Sequence, residues 1–409
     1  MITEMRIERK NVSLTFMFLV LFLWISSLLD FPRNFYIAGA SLSSLLSIAI
    51  VGAVWLLITK KPKFPHGTNV MWWFGFMLIW GWITFLWYPP DKQSIQNISV
   101  LIAFIGVTLI TARETTENEE TAQKLMDTFL KCSVFTLTLY TGVTVVFDDA
   151  SRDIIFPRGF AIFALLIVSV ALGNNRYKHR KRYFLLAILT IVIIALSLSR
   201  TAILISLLLI PLSQIKFNVR GIVRIFLWLL ITSSVFYYAV NHIGVIKNRF
   251  FIGDMSLNVG GISINAMGRM IIWEYTLESF EKSPILGSGV GSIESVLDAY
   301  FENINQPHND YLRIIHDYGI IGIFMFSIGV LGLIIVISNA WLKAEKNNQD
   351  DANYHLSALL SLVSVLSLMV TDNPFVYMFV MVPLGILLGI SLGKINRREY
   401  KRLDNFVRM

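Results

Sequence analysis

Charge is scarce in this chain and cysteine is nearly absent. Charged residues make up 15% of the sequence against 55% hydrophobic, whereas soluble domains are nearer a quarter charged, so a water-soluble globular fold is excluded. The single cysteine, Cys132, permits no disulfide within the chain and no thiolate metal site. It falls near the start of an apolar run, where ordinary packing is expected. The apolar runs hold almost no acid; the nearest, Asp30 and Asp372, sit at run ends. Proton-coupled pumps use an acid or histidine relay at membrane depth, so this lack counts against a transporter. No HExxH pattern, no low-complexity tract and no solenoid-length repeat occurs.

Long apolar runs are what the chain does have. Each of the segments 12–29, 38–58, 70–88, 97–112, 126–147, 159–173, 183–199, 201–215, 222–240, 317–339, 355–371 and 374–392 is close to the length at which an α-helix crosses about 30 Å of hydrocarbon. The expected fold is all-α and polytopic, with about 12 transmembrane helices. The first run is followed by Asp30-Phe31-Pro32-Arg33 rather than a small-residue cleavage site, so it is read as a retained helix. The net charge of +8 comes mostly from clusters beside run ends, which argues against a nucleic-acid partner and reports orientation. An internal amino terminus puts Arg6, Arg9 and Lys10, then Lys60, Lys61 and Lys63, then Arg176 to Arg182, and finally Arg397, Arg398, Lys401 and Arg402 on the cytoplasmic side. Three parts are expected: helices one to nine over 1–240, an external loop over 241–316, and helices ten to twelve with a basic tail over 317–409.

That external loop, at about 75 residues, is far longer than ordinary connections and should carry structure and function. Met270, Trp273, Leu277 and Phe280 recur at helical spacing, as do Ile293, Val296, Leu297, Tyr300 and Phe301, predicting two amphipathic helices. Between them, Gly287, Gly289 and Gly291 mark a turn, and no strand precedes them to make a dinucleotide fingerprint.

Three places stand out chemically. Ser197-Leu198-Ser199-Arg200-Thr201 interrupts an apolar stretch too short for two full spans and a loop, so two short helices meet at Arg200 below the surface. Such a guanidinium either snorkels to water or faces a polar cavity or an anion. Arg269 opens the first amphipathic helix, where the helix dipole opposes a cation and favours an anion, so it is either solvated or shares a phosphate with the helix end. Gln306-Pro307-His308-Asn309-Asp310-Tyr311-Leu312-Arg313 places a histidine at a helix mouth, with Asn309 or Asp310 as cap. His308 is either structural or a base able to take a hydroxyl proton near neutral pH. His316 is expected about two helical turns further along the same face, beside the site or at an interface. Asp148, Asp149 and Asp153 form an acidic cluster that would suit Mg²⁺ or Ca²⁺.

Taken together, these residues resemble the O-antigen ligase and polymerase family of bacterial envelope glycosyltransferases. The family pattern of His, then Asn, Ser or Gln, nine residues, Gly, two residues and Gly, Thr or Tyr fits His308, Asn309, Asp310 to Tyr318, Gly319 and Gly322 without a gap. Ser199-Arg200, and Gly268-Arg269 followed by Trp273, Pro284, Gly287 and Gly289, also look like family blocks in the right order. Relatives often carry Arg-Gly-Asn where this chain has Arg158-Gly159-Phe160, so the Asn is missing. The resemblance implies a metal-independent, inverting transfer at the periplasmic face of the bacterial inner membrane, with both termini cytoplasmic and no cofactor. The glycan would leave undecaprenyl pyrophosphate for a lipid A-core hydroxyl (ligase) or a growing glycan (polymerase). By the same resemblance Arg200, Arg269 and Arg158 would hold the pyrophosphate and His308 would assist the acceptor. Asn309, Tyr311, Arg313 and His316 would support them.

Overall fold

A computed structural model describes residues 13–147, 154–215, 219–242, 244, 256–259, 262–265, 269–301 and 306–407. The helices run, in order, α1 Leu14–Ser26, α2 Leu42–Lys60, α3 Trp72–Ile83, α4 Lys92–Glu117, α5 Glu119–Phe147, α6 Pro157–Lys178, α7 Lys181–Leu196, α8 Arg200–Ser213 and α9 Val219–His242. They continue with α10 Arg269–Phe280, α11 Ser292–Asp298, α12 Asp310–Lys346, α13 Ala352–Leu368 and α14 Met378–Val407. Two small antiparallel hairpins interrupt the helical pattern, β1 Tyr36–Ile37 with β2 Ala40–Ser41, and β3 Ser256–Val259 with β4 Ile262–Asn265. The second lies in the long loop, where only helices were expected.

Each apolar run read from the sequence contains a helix among the described residues. Among the described residues, seven stretches are long and apolar enough to cross a membrane: α2, the segment His66–Leu86 that contains α3, α4, α5, α6, α12 and the Met378–Glu399 part of α14. Helices α1, α8 and α13 are apolar but shorter. The span windows of α6 and α14 are both 89% buried whereas that of α2 is 17% buried, so α6 and α14 form the centre and α2 faces outward. A helix that is apolar all round belongs in a bundle interior.

Lipid is as apolar as leucine, so close packing and hydrogen bonds hold such helices together rather than burial of apolar surface. Gly385, Gly389 and Gly393 form a stripe on α14 against Thr108, Thr111 and Thr115 of α4, where a methyl group at the first would meet the Thr108 hydroxyl at 3.0 Å. Asn353 of α13 donates to Asn174 of α6 (3.1 Å), and His355 meets Ser391 of α14 (2.8 Å). Cys132 is buried well inside α5, which begins at Glu119 rather than at the expected residue 126.

One end of the bundle is ionic. Lys61 pairs with Glu117 (3.0 Å), Arg397 with Glu119 (3.1 Å), Arg398 with Asp351 (3.0 Å), and Arg176 with Glu345. The acidic connection after α4 thus neutralises part of the basic clusters. At the other end, α6, α8, α10 and α12 begin and α13 ends.

Candidate functional site

Each cationic side chain of the site stands at the start of a helix: Arg158 second in α6, Arg200 first in α8, Arg269 first in α10. Helix starts carry exposed amides and partial positive charge, so each arginine lies against its own dipole. The local folding explains their positions. The Phe156 amide donates to the Asp30 carboxylate (3.1 Å), the Asn34 side chain donates to the Ile154 carbonyl (2.8 Å), and Pro157 enters α6 where no amide partner is needed. Asp30 is held above its usual carboxylate range, chiefly by burial, although the Phe156 amide and Arg33 favour its charged form. The α7–α8 hairpin turns through Leu198 at φ 56°, a left-handed conformation costly for leucine. Trp273 of α10 donates from its indole to the Pro307 carbonyl (2.8 Å), fixing α10 beside His308.

His308 itself is left-handed, at φ 51°, immediately before α12. It therefore does not share a helical face with His316, as the sequence suggested. Arg158 Nη1 lies 3.1 Å from His308 Nδ1 and 3.5 Å from Nε2. The other edge of the same guanidinium, at Nε, is 3.3 Å from the Asp372 carboxylate, which is 5% exposed. Burial pushes the Arg269 guanidinium down to about 10, with Arg158 and Arg200 adding repulsion and Asp372 opposing them. His308 is driven down to about 3 by burial first, then by Arg158 and Arg269, so its imidazole is neutral at physiological pH. Arg158 and Arg269 therefore face a neutral imidazole in a partly dry space, with Asp372 between them and Arg200 near Arg269.

Asp372 belongs to the turn between α13 and α14, and that turn ties the site together. The Thr371 hydroxyl donates to Thr201 beside Arg200 (2.9 Å), the Asn373 amide group donates to Gln306 (3.2 Å), and the Phe375 amide donates to Asp310 at the start of α12 (2.7 Å). From the sequence, Asp372 stands out only as an acid at a run end. Its signal was the Thr371-Asp372-Asn373-Pro374 turn cluster, but its partners come from residues more than 60 positions away.

The residues expected around His308 divide by role. Asn309 caps α12, accepting from the Leu312 amide (3.1 Å). Tyr311 donates to the Leu366 carbonyl (2.9 Å), and Arg313 pairs with Asp310 (2.8 Å) and reaches Asn97. His316 is fully buried between Ser279 of α10 (3.0 Å) and Asp317 (3.0 Å), tying α10 to α12.

The glycines of the motif serve the same junction. Helix α12 starts at Asp310, seven residues before the expected 317, and breaks at Gly319 (φ 69°, ψ −169°). The carbonyls freed by the break are taken by the Ser288 and Gly289 amides (2.9 and 3.0 Å) and by the Trp80 indole (3.0 Å). At Gly287 and Gly319 the two backbones approach so closely that any side chain would collide with the facing main chain.

The loop helices follow the expected pattern only in part. Ile293 and Leu297 of α11 are buried, but α10 buries Ile272, Thr276 and Ser279 and exposes Met270 and Leu277. The polar tie from Ser279 to His316, rather than the apolar stripe, selects its inward face. Among the described residues no cluster of His, Cys, Asp and Glu has a metal-binding arrangement; Asp148, Asp149 and Asp153 lie outside the described residues.

Residues 184–327 match the family model described as O-antigen ligase. The match covers about a third of the chain, which over that segment is similar to the O-antigen ligase family. That family comprises glycosyltransferase-like enzymes that handle lipid-linked glycans in membranes. The matched segment contains Arg200, Arg269, His308, His316 and Gly319, whereas Arg158 and Asp372 lie outside it. No curated protein matches the chain.

Proposed function

We propose that the chain is an O-antigen ligase of the bacterial inner membrane, moving a glycan from undecaprenyl pyrophosphate to a lipid A-core hydroxyl. The observation that carries this reading is the meeting of three arginines, each in the first turn of a helix, two of them facing one neutral imidazole. Guanidinium groups and helix N-termini both bind phosphate oxygens, and concentrating them in a partly dry space is costly unless a polyanion arrives.

In the reaction the acceptor oxygen attacks the anomeric carbon of the first sugar. The bond from that carbon to the pyrophosphate oxygen breaks, its electron pair stays on the phosphate, and the sugar carbon inverts. His308 takes the hydroxyl proton as the new bond forms. Arg200, Arg269 and Arg158 stabilise the charge growing on the leaving pyrophosphate, the task that a metal performs in other phosphate-handling enzymes. On this reading the chain crosses the membrane about twelve times, with the ionic end and both termini in the cytoplasm and the site in the periplasm.

The test is transfer by purified full-length protein supplied with lipid-linked glycan and lipid A core. Transfer that continues in EDTA supports the arginine mechanism, and complete loss in EDTA that divalent metal restores would overturn it. A polymerase would use the same donor. In cells lacking the gene, glycan stranded on the carrier lipid identifies a ligase, whereas core bearing at most one repeat identifies a polymerase. A lipid-linked sugar transporter would keep working as His308→Ala, while the transferase would lose about two to four powers of ten in turnover.

A further inference from the structure

Helix α12 carries a buried acid for which the transfer chemistry has no use. Asp317, 1% exposed, stands just before the break at Gly319. A carboxylate is costly to bury unless donors surround it, and they do so here. One oxygen accepts from the Gly291 amide (2.9 Å), and the other from His316 Nδ1 (3.0 Å), the Ile293 amide (3.3 Å) and the Ser292 hydroxyl (3.4 Å). Gly291 is the cap residue of α11 and has no side chain to cap with, so Asp317 takes the first amides of that helix instead. Because a carboxylate only accepts, His316 carries its proton on Nδ1, and its Nε2 lone pair takes the Ser279 hydroxyl of α10 (3.0 Å).

We propose that Asp317 is a positioning residue for the donor: by two separate routes this one carboxylate holds both halves of α10, and so sets where Arg269 stands relative to His308. The inference rests on the reading of Arg269 as a contact for a pyrophosphate donor. The first route passes through His316 to Ser279 and grips α10 near its end. Ser279 lies about 15 Å along the helix from Arg269, so this grip alone lets the arginine swing. The second route passes through α11. Capped by Asp317, that helix packs its buried Ile293 and Leu297 against Ile272, in the same turn of α10 as Arg269. The Trp273 indole on the Pro307 carbonyl is a single contact, about which a helix can turn. His308 directly precedes the stretch of α12 that bears Asp317, so base and arginine are both referred to one rigid element.

Asp317→Asn keeps the volume but leaves one accepting oxygen, so α11 loses an amide contact whichever way the new side chain faces. Amide hydrogen exchange of the full-length protein, read by mass spectrometry of its peptides, should quicken at least about tenfold across α10 and α11, the population ratio matching a hydrogen bond to a charged group. Across α13 it should stay within about twofold. Exchange in α10 that matches the parent overturns the proposal, and so does an acceleration spread equally over α13, which would mark Asp317 as a general support of the fold. Donor KM should rise more than kcat falls. A loss confined to kcat overturns the positioning role.

Labelled inorganic pyrophosphate separates this proposal from the reading beneath it. It should bind the parent protein and bind Asp317→Asn at least about tenfold more weakly, as expected when a contact is misplaced. Pyrophosphate that does not bind the parent overturns the donor reading, whereas equal binding by both proteins overturns the role of Asp317 alone. Should Asp317→Asn fail to fold, Ser279→Ala decides. It removes the first route and leaves the second, so exchange should quicken in the second half of α10 and match the parent in α11. An unchanged α10, or an equal change in both helices, overturns the two-route grip.

Discussion

At the residue scale, His308 combines a left-handed backbone, a half-buried ring and an arginine packed against that ring. Strain of this kind persists only where the surroundings over-determine it, and Asn309, Pro307 and Trp273 do so here. Its depressed basicity sets the pH behaviour. In the free protein the imidazole is neutral down to about 3, so kcat/KM for the donor should be flat from about pH 5 to 8 rather than falling below the ordinary histidine value near 6.5. Bound pyrophosphate raises that basicity, so the acid limb of kcat should lie at higher pH than that of kcat/KM. Coincident limbs would mean that the donor does not reach the arginines. Stability follows the same sign. Between about 3 and the ordinary 6.5 the unfolded chain binds a proton that the folded chain refuses, so stability rises with pH across that window. Melting in detergent should fall on acidification below about 6.5, and less steeply in His308→Gln.

Arg200 tests the anion directly. A lysine keeps the charge but loses the planar fork, so Arg200→Lys should lower kcat/KM by about tenfold or more if that fork grips phosphate. Parent-like kinetics in the lysine variant would remove the clamp from the mechanism.

At the element scale, what matters is how α10 is set against α12. Arg269 starts one helix and His308 precedes the other, and their relative placement depends on the Ser279–His316 contact and on the glycine turn docked into the break at Gly319. An alanine at Gly319 would need a left-handed backbone and would collide with the Ile285 carbonyl. It should destabilise the protein by about 2 kcal/mol or more, read as a lowered melting temperature. Ser279→Ala is milder. It leaves His316 without one partner and should raise the donor KM more than it lowers kcat, because it lets Arg269 drift while leaving His308 attached to α12. A change confined to kcat would show that the tie acts on chemistry rather than on donor binding.

At the scale of the whole molecule, the site and the ionic clusters occupy opposite ends of the bundle, so orientation determines which compartment the chemistry serves. Cys132 is the only cysteine and is fully buried, leaving a quiet background for added thiols. Ser295→Cys, exposed on α11, should react with a membrane-impermeant maleimide on intact spheroplasts, whereas Lys61→Cys should react only after permeabilisation. The reverse pattern would turn the protein over and place the reaction in the cytoplasm.

Much of this was legible from the residues alone. Hydropathy runs locate helices because backbone amides in lipid must be satisfied within the segment, and basic clusters report sides because charge resists translocation. Arg200, Arg269 and His308 were identifiable because each breaks a local rule: a cation in an apolar stretch, a cation at a helix start, a histidine at a helix mouth. What only the tertiary structure decided was partnership. Asp372 looked like a run end until α13 brought it to Arg158, and Arg158 looked like one more phosphate contact until its guanidinium was found on the His308 ring. Periodicity also chose the wrong inward face for α10, because a single polar tie to a buried histidine outweighs an apolar stripe at the edge of a membrane. Local patterns record what a segment can do by itself, and pairings across hundreds of residues depend on packing that no single stretch encodes.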